Sequence, residues 1–157
     1  MRRKIYLSAA LLIFAFAFSA AAHPLGNFSV NHYSRIEVEK SKIKLRAVLD
    51  MAEIPTFQES QQIDSDKDGL LSGAELDAYA EKITPVYLAN LLLAVDGKII
   101  ELRQIEKNIS LPAGSGNLPT LRIEWDLVAD LPDAENAIQK LRFENKRRAN
   151  VLSRGND

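Results

Sequence analysis

The sequence predicts a mainly β domain, a small antiparallel β-sandwich or curled sheet, with one helix–loop–helix inserted into it and a signal helix ahead of it. Three observations carry this reading. Apolar and polar residues alternate with period two along several stretches, the mark of half-buried strands. One stretch, 52–90, abandons that period for steps of three and four. The first 22 residues differ in kind from everything after them.

Arg2, Arg3 and Lys4 open the chain, an apolar run follows from Ile5 to Phe18, and Ala20-Ala21-Ala22 supplies small residues in an A-x-A arrangement. That is the layout of a secretory signal peptide, with cleavage expected after Ala22. An uncleaved membrane anchor is the alternative, since the run is at the short end for a span. The mature domain is then 23–145, with 146–157 a fraying tail.

Phe28, Val30, His32, Ser34, Ile36 and Val38 fall on one face of a first strand. Glu39-Lys40-Ser41-Lys42 makes a polar turn, and Ile43, Leu45, Ala47, Leu49 and Met51 resume the alternation in a second strand. From Ala52 to Gln62 the β-branched residues thin out and a short helix is expected. A second helix carries Leu76, Tyr79, Ala80 and Ile83 on one face, and Pro85 should end or kink it. Asp96-Gly97, between Leu91–Val95 and Lys98–Ile105, predicts a type I′ hairpin. A strand around Asn108 to Leu111 continues the second arm. The loop 112–119 holds two glycines and two prolines and breaks structure. Leu121, Ile123, Trp125, Leu127 and Ala129 alternate in the next strand; residues 130–137 form an acidic turn; Leu141 and Phe143 mark the last strand.

Composition narrows the function. The 157 residues carry 20 basic and 21 acidic side chains; without the signal, which holds three basic and no acidic residues, the balance is −4. That is no electrostatic basis for binding nucleic acid. There is no cysteine, hence no disulfide and no thiolate metal site. No G-x-S-x-G, no H-E-x-x-H and no phosphate-cradling glycine loop occurs, and two histidines near one end leave little for acid–base chemistry. The sequence predicts a protein that is not an enzyme and has no small-molecule substrate.

One segment stands out for its chemistry. Asp64 to Glu75 reads D-x-D-x-D-G, then Glu after five more residues. A hard divalent cation takes six to eight oxygens. Carboxylates of Asp64, Asp66 and Asp68, the backbone carbonyl of Leu70, a water held by Ser72 and two oxygens of Glu75 supply them in order. Gly69 falls where the chain must turn sharply. The segment resembles the EF-hand family, which implies Ca²⁺ at Asp64, Asp66, Asp68, Leu70, Ser72 and Glu75; magnesium suits a bidentate Glu75 less well. The family usually pairs its loops through the eighth position, here Leu71, and no second loop is present: Asp130 to Glu135 lacks the central glycine. Leu71 must pack on its own sheet or on another molecule. A lone loop of this kind should bind weakly, with Kd on the order of 10⁻⁴ to 10⁻³ M.

His23, first after cleavage, offers an α-amine and an imidazole to a transition metal, and His32 is the only other histidine. Against this, Pro24 withholds a backbone nitrogen and His32 shares a face with Phe28 and Val30. The runs His23 to Arg35 and Leu49 to Glu59 resemble the exported N-terminal domain of bacterial nickel/cobalt permeases, over residues 23 to about 145. The chain stops where that family continues into membrane helices, so the resemblance implies a periplasmic or secreted location and a permease partner, not transport. The leading expectation is an exported calcium-binding domain. The alternatives are a Ni/Co/Cu-handling accessory using His23 and His32, and a module that holds a membrane transporter.

Overall fold

The computed structural model describes residues 27–132 and 138–146. The signal segment, His23, the centre of the acidic turn and the tail beyond Lys146 lie outside the described residues. The fold is mainly β: two antiparallel sheets and two helices. Strands β1 (Val30–Val38) and β2 (Lys42–Met51) form the first hairpin; helices α1 (Glu53–Ile63) and α2 (Gly73–Leu88) follow. Then come β3 (Leu91–Val95), β4 (Lys98–Ile100), β5 (Arg103–Ser110), β6 (Leu121–Asp130) and β7 (Leu141–Asn145). The larger sheet has the order β1-β2-β6-β5 and the smaller β4-β3-β7.

Alternation decides what the larger sheet buries. Ile43, Leu45, Ala47, Leu49 and Met51 of β2 lie opposite Ala129, Leu127, Trp125, Ile123 and Leu121 of β6, and all ten are buried. This continuous face has two different covers. Towards Met51 and Leu121 it packs against Ile63, Tyr79, Ile83 and Tyr87 of the helices. Towards Ile43 and Ala129 it packs against Leu93 and Val95 of the smaller sheet. The opposite face is polar, crossed by ion pairs such as Arg46–Asp126, whose two bonds are both 2.7 Å. Partly exposed, such pairs add little stability.

Two elements depart from the expected layout. Phe28 and Val38, at the ends of the β1 alternation, are exposed by 72% and 60%, because nothing described packs over the rim of this edge strand. The second arm of the Asp96-Gly97 hairpin does not run through to Ile105. β4 stops at Ile100, and the chain then changes sheet to pair β5 with β6. Asp96 (φ 48°) and Gly97 (φ 80°) do take the left-handed conformations of the expected turn. The turn is tied down from outside: Lys140 N–H donates to Asp96 Oδ1 at 2.7 Å, and Asp96 N–H to Lys140 C=O at 2.9 Å.

The helices are part of the core, not an arm projecting from it. α2 runs through Pro85 to Leu88. It presents Tyr79, Ala80, Ile83, Thr84 and Tyr87 inward at helical spacing, all buried. Tyr87 stacks on Trp125 with ring centroids 4.1 Å apart, and Trp125 Nε1–H donates to Thr84 Oγ1 at 2.8 Å. Thr84 in turn donates to the carbonyl of Ala80 at 2.6 Å. An indole N–H in a dry core needs such a partner.

α1 buries polar residues instead. Glu53, Thr56, Glu59 and Ile63 face inward. Thr56 Oγ1 donates to Met51 C=O at 3.0 Å and Tyr79 Oη donates to Glu59 Oε2 at 2.7 Å, which links the two helices. Glu53 accepts from Asn27 N–H at 3.1 Å and Ser115 N–H at 2.7 Å, so one carboxylate gathers the start of the sheet, the helix and the 112–119 loop. The N–H groups of Ser115, of Glu53 itself and of Asn27 hold this carboxyl below the usual carboxylate range.

Two outcomes are expected. Thr84→Val leaves the buried Trp125 N–H without its acceptor and should cost about 1–3 kcal/mol in urea unfolding. Glu53 binds its proton less tightly folded than unfolded, so its stabilisation is complete above the ordinary pKa of 4.5. It is lost as pH falls through the lowered folded value. The urea midpoints of wild type and Glu53→Gln should therefore lie apart at pH 7 and draw together as the pH falls below 4.5.

Candidate metal centre

The segment between α1 and α2 is wound by its own side chains. Asp64 Oδ1 accepts from Asp68 N–H at 3.2 Å and Asp64 Oδ2 from Gly69 N–H at 3.0 Å. Asp66 Oδ1 accepts from Asp68 N–H at 3.1 Å, and Asp68 Oδ1 from Leu70 N–H at 2.7 Å. Short acidic side chains bond readily to backbone N–H groups a few residues on, and this curls the chain inward. Lys67 (φ 61°) and Gly69 (φ 84°) take the left-handed conformations that the curl requires. Glycine does so without strain.

The result is a cluster. One carboxylate oxygen each from Asp64, Asp66 and Asp68 lies within 4.8 Å of the others. Oxygens at 2.3–2.6 Å from one Ca²⁺ are at most about 5 Å apart, so the three fit a common hard cation. Asp64 is half-buried, and Asp66 and Asp68 are exposed. Leu70 and Ser72 follow on the same turn, both exposed.

Glu75 does not join this group of three. Its Oε1 accepts from Ser65 N–H at 2.7 Å and Ser65 Oγ at 3.0 Å. Its Oε2 accepts from Ser72 N–H at 3.0 Å and Ser72 Oγ at 2.9 Å. The Ser72 hydroxyl also accepts from Glu75 N–H at 3.3 Å, so Ser72 and Glu75 form a capping box at the start of α2. These donors, Ser72 N–H first and Ser65 N–H next, pull the Glu75 carboxyl down to about 2. The side chain expected to close a metal site thus already closes the loop, second residue to ninth. The S-x-x-E spacing from Ser72 to Glu75 signals this cap in the sequence, but the calcium motif accounts for the same two residues.

The remaining expectations resolve individually. Leu71 packs against the domain's own core cluster, where an unpaired loop can bury it. His32 stacks on Tyr87, with ring centroids 5.9 Å apart and Nδ1 3.5 Å from Tyr87 Oη. Whether His23 approaches it falls outside the described residues. Tyr79 takes the inner face expected of it, but its hydrogen bond to Glu59, which joins the two helices flanking the loop, had no signal in the sequence. No helix among the described residues is long and apolar enough to cross a membrane. No family model, curated protein or solved structure matches the chain.

Ser72→Ala should lower stability in the presence of a chelator by about 0.5–2 kcal/mol, the usual worth of a helix cap. Chemical denaturation without metal measures it. An unchanged midpoint would mean that the cap contributes nothing.

Proposed function

We propose that this protein is a calcium-binding, non-enzymatic domain, with Ca²⁺ held in the loop from Asp64 to Glu75. The observation that carries the reading is the convergence of the Asp64, Asp66 and Asp68 oxygens on a backbone whose turns at Lys67 and Gly69 suit a cation at their centre. An all-oxygen donor set favours a hard cation over a transition metal. Leu70 would add its carbonyl, Ser72 a water, and Glu75 its carboxylate in exchange for the bonds to Ser65 and Ser72. Three carboxylates this close repel one another, and a bound divalent ion relieves that repulsion. Because α2 carries Tyr79, Thr84 and Tyr87 into the core, the ion would brace the fold itself rather than a peripheral arm. This reading suits a structural site better than a switch.

The resemblance of residues 23–35 and 49–59 to exported permease domains extends the proposal to a place outside the cytoplasm, beside a nickel/cobalt-type membrane permease. The transition-metal reading through His23 and His32 is weaker, since His32 already contacts Tyr87.

The test is thermal unfolding in calcium and in chelator. With Kd on the order of 10⁻⁴ to 10⁻³ M, 10 mM Ca²⁺ should stabilise by about 1.4–2.7 kcal/mol and raise Tm by roughly 5–10 °C. Asp64→Ala should abolish the rise. Equal Tm with and without calcium would overturn the proposal.

A further inference from the structure

We propose that the outer face of the larger sheet binds a zwitterion whose amine and carboxylate stand about 10 Å apart, the span of a free tripeptide. The inference is independent of the metal site. It rests on one row of side chains that crosses all four strands. Arg35 lies opposite Arg46, Arg46 opposite Asp126, and Asp126 opposite Glu106. Directly opposed residues share a face of the sheet and are close enough to interact. From β1 to β5 the row therefore reads two cations and then two anions.

That order is not the one that stabilises a sheet. Like charges directly opposite each other are destabilising, and this row holds two such pairs. Elsewhere on the same face opposite charges meet: Glu37 faces Lys44, and Asp50 faces Arg122. In the centre of the row Arg46 donates from Nε and Nη2 to Asp126. Arg35 pairs through Nε with Glu37 at 3.1 Å. Both Nη groups of Arg35 and Nη1 of Arg46 are left for a carboxylate. At the other end Glu106 makes no ion pair among the described residues. Glu106 and the second lone pairs of the Asp126 oxygens are left for an ammonium group.

All four charges line one open hollow of about 440 Å³, a size that suits a small ligand. The side chains of Arg35 and Arg46 are exposed by 54% and 44%, so a solute can reach them. Ile105 lines the same hollow and is exposed by 65%. The register of β5 against β6 shifts between Gln104 and Glu106, which makes Ile105 the extra residue of a bulge. Bulges re-aim side chains and recur beside binding sites. Here the bulge sets an apolar contact for a ligand among the charges.

The spacing of the strands fixes the length of that ligand. The midpoint of the cationic pair is two strand spacings from the midpoint of the anionic pair, about 10 Å. A single α-amino acid holds its two charges too close together to reach both. Three extended residues span about 10 Å. Their carboxylate meets Arg35 and Arg46, and their ammonium group meets Asp126 and Glu106.

Trialanine is the probe, titrated into the protein at low ionic strength and followed by amide chemical shifts. It should bind saturably with Kd on the order of 1 mM, with shifts centred on Arg35, Arg46, Ile105 and Glu106. ω-Aminooctanoate, with the same charge separation and no peptide bond, should bind within about threefold. Alanine, N-acetylated trialanine and trialanine amide should each bind at least about tenfold more weakly. Glu106→Gln and Arg35→Gln should each weaken trialanine at least about fivefold, whereas Asp77→Asn on α2 should not. Should a variant unfold, the blocked peptides decide the matter on the wild type. No saturable binding of trialanine overturns the proposal. So does equal binding of the blocked peptides, or unchanged affinity in the folded variants. Binding of trialanine without ω-aminooctanoate would mean that the hollow reads peptide bonds instead of charges, and equally overturns it.

Discussion

Ten alternating side chains of β2 and β6 make one apolar face longer than either available cover, and the rest of the fold follows from having to bury it. The helices cover the half around Met51, Leu121 and Trp125; the smaller sheet covers the half around Ile43 and Ala129. The switch of the chain between β4 and β5 joins the two sheets behind this division. Trp125, the largest fully buried side chain, sits under the helical cover. Its ring takes the stack of Tyr87, and its N–H takes the bond of Thr84. The two contacts fix α2 both along and around its axis, and the loop that precedes α2 is positioned as a result.

The strands were legible because their periodicity and their burial coincide. Leu121 to Ala129 alternate in sequence and are buried in the same alternation. α1 was legible only in part. Its existence could be read from composition, but its apolar residues Ile54 and Phe57 do not mark the inner face, and Phe57 is 63% exposed. The face is set by Glu53, Thr56 and Glu59, whose partners Ser115, Met51 and Tyr79 come from other parts of the chain. Such pairing has no local signature. The break between Ile100 and Arg103 was hidden for a related reason: the residues on both sides favour strand, and only the competition between two sheets decides which they join.

The candidate site shows a sequence motif with two simultaneous readings. Asp64, Asp66 and Asp68 converge as the spacing implied, whereas Ser72 and Glu75 satisfy a helix terminus as well as a ligand pattern. A helix N-terminus attracts a carboxylate at its third position for reasons unrelated to metals. The overlap means that the loop is closed by hydrogen bonds from Ser65 and Ser72 to the same two oxygens that a bound ion would need.

The position of β2 against β6 also governs the order in which the chain organises. Met51 meets Leu121 across seventy positions of intervening chain, and the pairs towards Lys42 and Asp130 lie still further apart. Such non-local ladders form slowly, because the loop must close before any contact rewards it. The helical pair and the β3–β4 hairpin, both local, lie within that span. They can assemble first and shorten the effective loop, leaving the central ladder of the sheet as the late, rate-setting event of folding.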